Sequence, residues 1–170
     1  ADSNKTIDNL SPQFVAALPT KLLATLSTIQ LSNLTAEQLT ALNSAQVASL
    51  SAAKITALGT DVQYLNNAAL AGLGKGNITG LVSPLSTSLI GEGQFATLSP
   101  AQIGLLTEAQ LKSMGDDNAA ALTGPQVAAI TAGQAAVLTP TEIAAIQPAA
   151  FANLSAKAIA ALNTASSGDG

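Results

Sequence analysis

The 170-residue sequence contains no cysteine, no histidine and no tryptophan, and its six basic residues are all lysine. Without a thiol there can be no disulfide frame, no cysteine-based metal site and no cysteine nucleophile, and the redox compartment leaves no trace. Aromatic residues are almost as scarce: Phe14, Phe95, Phe151 and Tyr64 are the whole supply. Any core must therefore be built from Leu, Ile, Val and Ala, which suits thin, regularly stacked layers better than one deep core. Charged residues make up 9% of the chain and the net charge is −4. Neutralising phosphates and reading bases favour clustered Lys and Arg interleaved with aromatics, so a nucleic-acid partner is not expected. No apolar run approaches the ~20 residues that a membrane-crossing helix needs, so no integral membrane insertion is expected. The chain begins at Ala1 rather than at a methionine, as a mature product or an excised fragment would.

What is present is a repeat. Leu10, Leu18, Leu26, Leu34, Leu42, Leu50 and Leu58 recur every eight residues, and so do Leu98, Leu106, Met114, Leu122, Ile130, Leu138, Ile146, Leu154 and Leu162. Between these runs Leu65, Leu73, Leu81 and Leu89 keep the same spacing, with a seven-residue step before Leu65 and a nine-residue step after Leu89. Counting each anchor as position one, position two is usually Ser, Thr or Asn, as at Ser27, Thr35, Asn43, Ser99, Thr107, Thr123, Thr131 and Thr139. Position five is often Gln or Glu, as at Gln30, Gln38, Gln46, Gln102, Gln110, Gln126, Gln134 and Glu142, and position six is mostly aliphatic.

These positions have one physical reading. A hydroxyl or amide cap followed three residues later by Gln or Glu is a capping box, and an apolar residue just before the cap that packs on the fourth helical residue is a hydrophobic staple. Pro12, Pro100 and Pro140 each follow a Ser or Thr cap, at the first helical position, where a missing N–H costs nothing. Each octad is thus a helix start. One continuous helix is disfavoured, because eight residues overshoot two turns by about 80° and the anchors would spiral around the rod. The predicted fold is all-α: a solenoid of very short capped helices, one per octad. A β-solenoid is the alternative, disfavoured because Ala and Gln are poor strand formers and strict apolar–polar alternation is missing.

Helices of about six residues cannot stand alone, because nucleation is recovered only over a dozen residues or more. Stacking must hold them, with anchors and position-six aliphatics pointing inward, Ala at positions seven and eight allowing close approach, and the polar positions facing water. The organisation expected is a lead-in at 1–9, a single solenoid over 10–162 and a flexible tail at 163–170. Residues 59–97 form an irregular middle that holds seven of the thirteen glycines, both register slips and the only tyrosine. They read as a kink or worn repeats, or, more sharply, as a binding site in which Tyr64 is the first contact.

Other motifs carry little chemistry. The stretch Gly72 to Gly80 lacks the Gly-Lys-Ser/Thr ending of a phosphate loop, and Gly115, Asp116, Asp117 and Asn118 lack the spacing of a calcium loop. Glu37, Glu92, Glu108 and Glu142 lie far apart, and with no His or Cys a nucleophile has few activators, so neither an enzyme nor a cofactor is expected. Asn33-Leu34-Thr35, Asn77-Ile78-Thr79 and Asn153-Leu154-Ser155 match the glycosylation sequon, although the repeat itself explains the residues.

The units Leu122-Thr-Gly-Pro-Gln-Val-Ala-Ala129 and Leu138-Thr-Pro-Thr-Glu-Ile-Ala-Ala145 resemble the Leu-Thr-x-x-Gln-Val-Ala-Ala octapeptide arrays of large repetitive proteobacterial proteins. The resemblance covers roughly residues 10–162, and residues 59–97 depart from it. It implies secretion or a bacterial cell-surface location and a structural or adhesive role: a spacer, or a scaffold for a protein or glycan partner. A membrane-active or translocation-associated module is the alternative. The resemblance carries over no catalytic or binding residue.

Overall fold

The computed structural model describes residues 7, 9–81 and 94–165. Among these there are α-helices and 3₁₀ turns and no strand, as the capped octads predict. The chain divides into two compact units, Ala1–Val82 and Ser83–Gly170. In the first, α1 (Pro12–Ala17), α2 (Thr20–Leu23), α3 (Thr28–Ser32), α4 (Ala36–Thr40), α5 (Ser44–Ala48) and α6 (Ala52–Leu58) precede a 3₁₀ turn at Gly59–Tyr64, α7 (Asn67–Leu70) and a second 3₁₀ turn at Ile78–Gly80. In the second come α8 (Gln94–Thr97), α9 (Pro100–Leu105), α10 (Glu108–Lys112), α11 (Asp116–Ala120), α12 (Gly124–Ala128), α13 (Ala132–Ala136), α14 (Pro140–Ala145), α15 (Pro148–Phe151) and α16 (Ala156–Ala165).

The helix starts are built as their residues dictate. Reciprocal capping boxes close at Ser27/Gln30, Thr35/Gln38, Asn43/Gln46, Ser99/Gln102, Thr107/Gln110, Thr131/Gln134 and Thr139/Glu142. At Thr123 the hydroxyl instead donates to Gln126 Oε1 at 2.9 Å. Each box satisfies two backbone donors that a helix N-terminus leaves orphaned.

Helices are joined across the chain by a fixed interval of three octads. In the first unit α1 packs on α4, α2 on α5, α3 on α6, α4 on the Gly59–Tyr64 turn, α5 on α7 and α6 on the Ile78–Gly80 turn. In the second, α9 packs on α12, α10 on α13, α11 on α14, α12 on α15 and α13 on α16. Anchors and position-six aliphatics fill the space between. Leu34, Leu42, Leu50, Leu58, Leu65 and Leu73 are buried, as are Leu31, Leu39, Val47 and Ile55. The same holds for Leu98, Leu106, Met114, Leu122 and Ile130 with Ile103, Leu111 and Val127.

Two expectations about this stripe need correction. Ile143 is only half-buried and Ile159 is 43% exposed, although both stand at position six; they belong to the last octads described, over which no later octad packs. Leu10, Leu18 and Leu26 are half-buried for the converse reason, lying in the first three octads.

The seven-residue slip is absorbed locally. Before Leu65 the short octad becomes a 3₁₀ turn, and Gly59 takes φ +56° where most octads carry a cap, a conformation that glycine adopts at no steric cost. Val62, three residues before the next anchor, is buried as a position-six residue is elsewhere. Phe95, three residues before Leu98, is likewise fully buried, so the regular register is already restored by Gln94. Leu89 and the remaining part of the nine-residue step lie outside the described residues.

Candidate functional site

The polar residue at position five does not face water. Gln38, Gln46, Gln102, Gln110, Gln126, Gln134 and Glu142 are all buried, which corrects the expectation that polar positions are solvated. The reason is that the glutamine amide has two ends. In Gln46, Oε1 accepts the Asn43 N–H at 3.0 Å, closing the cap of its own helix. Its Nε2 then donates to Val15 O at 2.9 Å and Leu18 O at 3.0 Å, at the junction between α1 and α2. The same clamp recurs from Gln38 to Ile7 O and Leu10 O at 2.8 and 2.7 Å, and from Gln134 to Ile103 O and Leu106 O, both at 2.8 Å. Gln126 reaches Leu98 O at 2.8 Å. Buried amides with every group paired are the condition under which a polar interior stabilises a fold.

Three substitutions within the repeat keep the logic, whereas buried Ala150 and Ala158 at position five have no side-chain donor. Lys54, at position five of its octad, donates Nζ to Ala24 O. Asn77 accepts the Gly74 N–H at 2.8 Å and donates to Val47 O at 2.9 Å. Where position five is Ala69, the clamp moves to position two, and Asn66 Nδ2 donates to Thr40 O at 2.6 Å and Leu42 O at 3.0 Å.

Glu142 is the instructive exception. Its Oε2 accepts from the Thr139 N–H at 2.9 Å and the Thr139 hydroxyl at 3.0 Å, and its Oε1 accepts the Gly115 N–H at 3.1 Å. Gly115 has φ +80°, and Asn118 Nδ2 donates to the Met114 carbonyl beside it at 2.8 Å. The junction thus offers Glu142 a donor instead of acceptors, and a carboxylate answers it.

The remaining candidates fall into place around this frame. Tyr64 ends the Gly59–Tyr64 turn with its side chain 41% exposed, and its carbonyl accepts the Thr40 hydroxyl at 3.0 Å. In the Gly72 to Gly80 stretch the end glycines serve packing: a Cβ on Gly72 would lie 2.1 Å from Ser44 O, and one on Gly80 2.1 Å from Ala52 O. Asp116 and Asp117 are exposed at the start of α11, and no group of three His, Cys, Asp or Glu side chains among the described residues could hold a metal ion. Glu92 lies outside the described residues, and Glu108 is exposed on α10. Of the three sequons, Asn33 is exposed, Asn77 is buried in its clamp, and Asn153 donates to Ala149 O and Ala150 O.

No family model, no curated protein and no solved structure matches the chain. The geometry of the octads therefore carries the functional reading.

Glu37, exposed in the first turn of α4, has its carboxyl held below the ordinary 4.5 by its own backbone N–H and by the Thr35 hydroxyl. With the folded value depressed, its contribution to stability is complete above the unfolded pKa and disappears as pH falls through the folded one. The melting-temperature difference between wild type and Glu37→Gln should therefore be largest near pH 7 and vanish in the acid range below 4.5. A difference independent of pH would remove the carboxylate from the cap.

Proposed function

We propose that each unit is a solenoid of three octads per turn and that the chain is a non-catalytic structural or adhesive module of a bacterial extracellular protein. On this reading it is a spacer whose lateral surface serves as a scaffold for a protein or glycan partner. One observation carries the reading: the recurring anchors, position-six aliphatics and position-five amides are spent inside, and position four faces out. Position two caps, position five clamps, and positions one and six fill the core. Position four, by contrast, is exposed in most of the described octads; alanine fills it at Ala45, Ala53, Ala68, Ala101, Ala109 and Ala149, and elsewhere it carries residues as different as Gln13, Lys21, Ile29, Glu37, Asp117 and Pro125. A constant frame presenting variable side chains is how stacked-repeat proteins build binding surfaces. Tyr64, half exposed where the repeat slips, is the first contact to test. The bacterial surface location rests on the resemblance to octapeptide arrays.

Panels of immobilised extracellular proteins and glycans, probed with the purified chain, test the reading. Retention on one chemical class, weakened several-fold by Tyr64→Ala, is expected; failure to bind either class at high micromolar concentration would remove the adhesive role.

The alternative, a membrane-active module, draws support from the low charge and from the exposed Phe14 and Leu22, since apolar side chains on short helices can seat at a bilayer surface. No helix among the described residues is long and apolar enough to cross a membrane. Dye leakage from liposomes separates the two. A scaffold leaves vesicles intact, whereas leakage at low protein concentration would replace it with the alternative.

A further inference from the structure

Of the three glycosylation sequons, the fold leaves one asparagine without a structural task. Asn77 is buried, its Oδ1 accepting the Gly74 N–H at 2.8 Å and its Nδ2 donating to Val47 O at 2.9 Å. Asn153 donates Nδ2 to Ala149 O at 2.9 Å and Ala150 O at 3.2 Å, and packs against Gly124, where a Cβ would stand 2.7 Å from that nitrogen. A substituent on Nδ2 would break the clamp at Asn77 and both bonds at Asn153. Asn33 is different. It is exposed at the C-cap of α3, and its carboxamide has no hydrogen-bond partner among the described residues. The repeat explains Thr35, which caps α4, but not Asn33, since position eight is alanine at Ala17, Ala41, Ala57, Ala121, Ala129 and Ala145.

We propose that Asn33 is the acceptor of an N-linked glycan whose sugar comes from a sugar-phosphate donor. The proposal rests on the extracellular reading, because such glycans belong to surface positions of secreted chains. In the transfer, Asn33 Nδ2 bonds to the anomeric carbon, the bond from that carbon to the phosphate oxygen breaks, and the phosphate leaves with the electron pair. One Nδ2 proton passes to a base on the transferase. The Thr35 hydroxyl is the other half of the acceptor. It accepts the Gln38 N–H at 3.3 Å, but its own proton has no acceptor among the described residues, unlike those of Thr123 and Thr139, which go to Gln126 and Glu142. A hydroxyl has one donor and two acceptor sites, so Thr35 can cap α4 and still donate to the transferase. Leu34 is buried, so the transferase meets the sequon before α3 and α4 close together, and the finished fold accommodates the sugar at Asn33 alone. The Asn33 and Leu34 N–H groups both donate to Leu31 O, which holds the stem of the glycan in place on the lateral surface.

Trypsin separates the three sequons, since cleavage after Lys21, Lys54, Lys75, Lys112 and Lys157 places Asn33, Asn77 and Asn153 on different peptides. Mass spectrometry of the folded full chain recovered from its source is expected to find sugar on the Asn33 peptide alone. A nucleotide-linked donor would leave single sugar residues there, and a lipid-linked donor a preassembled oligosaccharide. Thr35→Asn, which keeps a cap of the kind that Asn43 provides, should lose the sugar without changing the melt, and so should Asn33→Gln. A bare Asn33 peptide, sugar at Asn77 or Asn153 in the folded chain, or sugar retained in folded Thr35→Asn would each overturn the proposal. A bare Asn33 on a chain found outside the cell would do so and leave the extracellular reading standing, whereas sugar at Asn33 on a chain kept inside would uphold the site and remove that reading.

Discussion

Gln46→Glu is expected to destabilise the first unit by about 3 kcal/mol or more, although the two side chains have the same length and shape. Gln46 is 1% exposed, and its Nε2 donates to two carbonyls. A carboxylate would set a buried negative charge against both acceptors, and a buried charge with no partner is among the most costly features a fold can carry. Gln46→Ala should cost less, about 2 kcal/mol, through the orphaned Asn43 N–H and Leu18 carbonyl. The reverse change at the odd octad, Glu142→Gln, should also destabilise, by about 1–3 kcal/mol. Both carboxylate oxygens of Glu142 accept from N–H groups, so either orientation of an amide would set a donor against a donor. Denaturant midpoints at constant slope measure all three. If Gln46→Glu matched wild type, the amide would not be clamping the α1–α2 junction.

The second large effect is steric. Gly72→Ala and Gly80→Ala are each expected to cost about 3 kcal/mol, at the upper end for overpacking, because the added methyl would stand 2.1 Å from a backbone oxygen, which cannot rotate away as a side chain could. Gly74→Ala and Gly76→Ala supply the control: nothing lies within 4 Å of a Cβ at either position, and stability should change by less than about 0.5 kcal/mol, as for ordinary surface substitutions. Equal effects at all four sites would mean that the turns do not approach as closely as Gly72 and Ser44 do here.

Much of this was legible in the sequence because it is local. A Ser or Thr and a Gln three residues apart meet within one helical turn, so Thr35 with Gln38 or Thr107 with Gln110 declares a helix start with no knowledge of the fold. The anchor stripe was equally readable, since Leu34, Leu42 and Leu50 have no other place to go. The interval of three octads was not, because it depends on contacts between residues 28 and 31 apart, and nothing within one octad encodes them.

The clamp left a signal that local reasoning passes over. A capping box accepts Glu or Gln alike, yet position five is glutamine at Gln30, Gln38, Gln46, Gln102, Gln110, Gln126 and Gln134 and glutamate only at Glu142. That bias marks a demand for a donor, and the one glutamate stands three octads after Gly115, which with Gly59 is one of two left-handed glycines at a cap position among the described residues.

The central claim is that each turn holds three octads, joined by position-five amides. Nuclear Overhauser contacts from the Gln46 side-chain amide protons in the folded chain test it most directly. The account predicts slowly exchanging amide protons with contacts to Val15 and Leu18, and the same pattern from Gln134 to Ile103 and Leu106. Contacts displaced by one octad, to Leu23 and Leu26, or an amide that exchanges as freely as one on the surface, would contradict it.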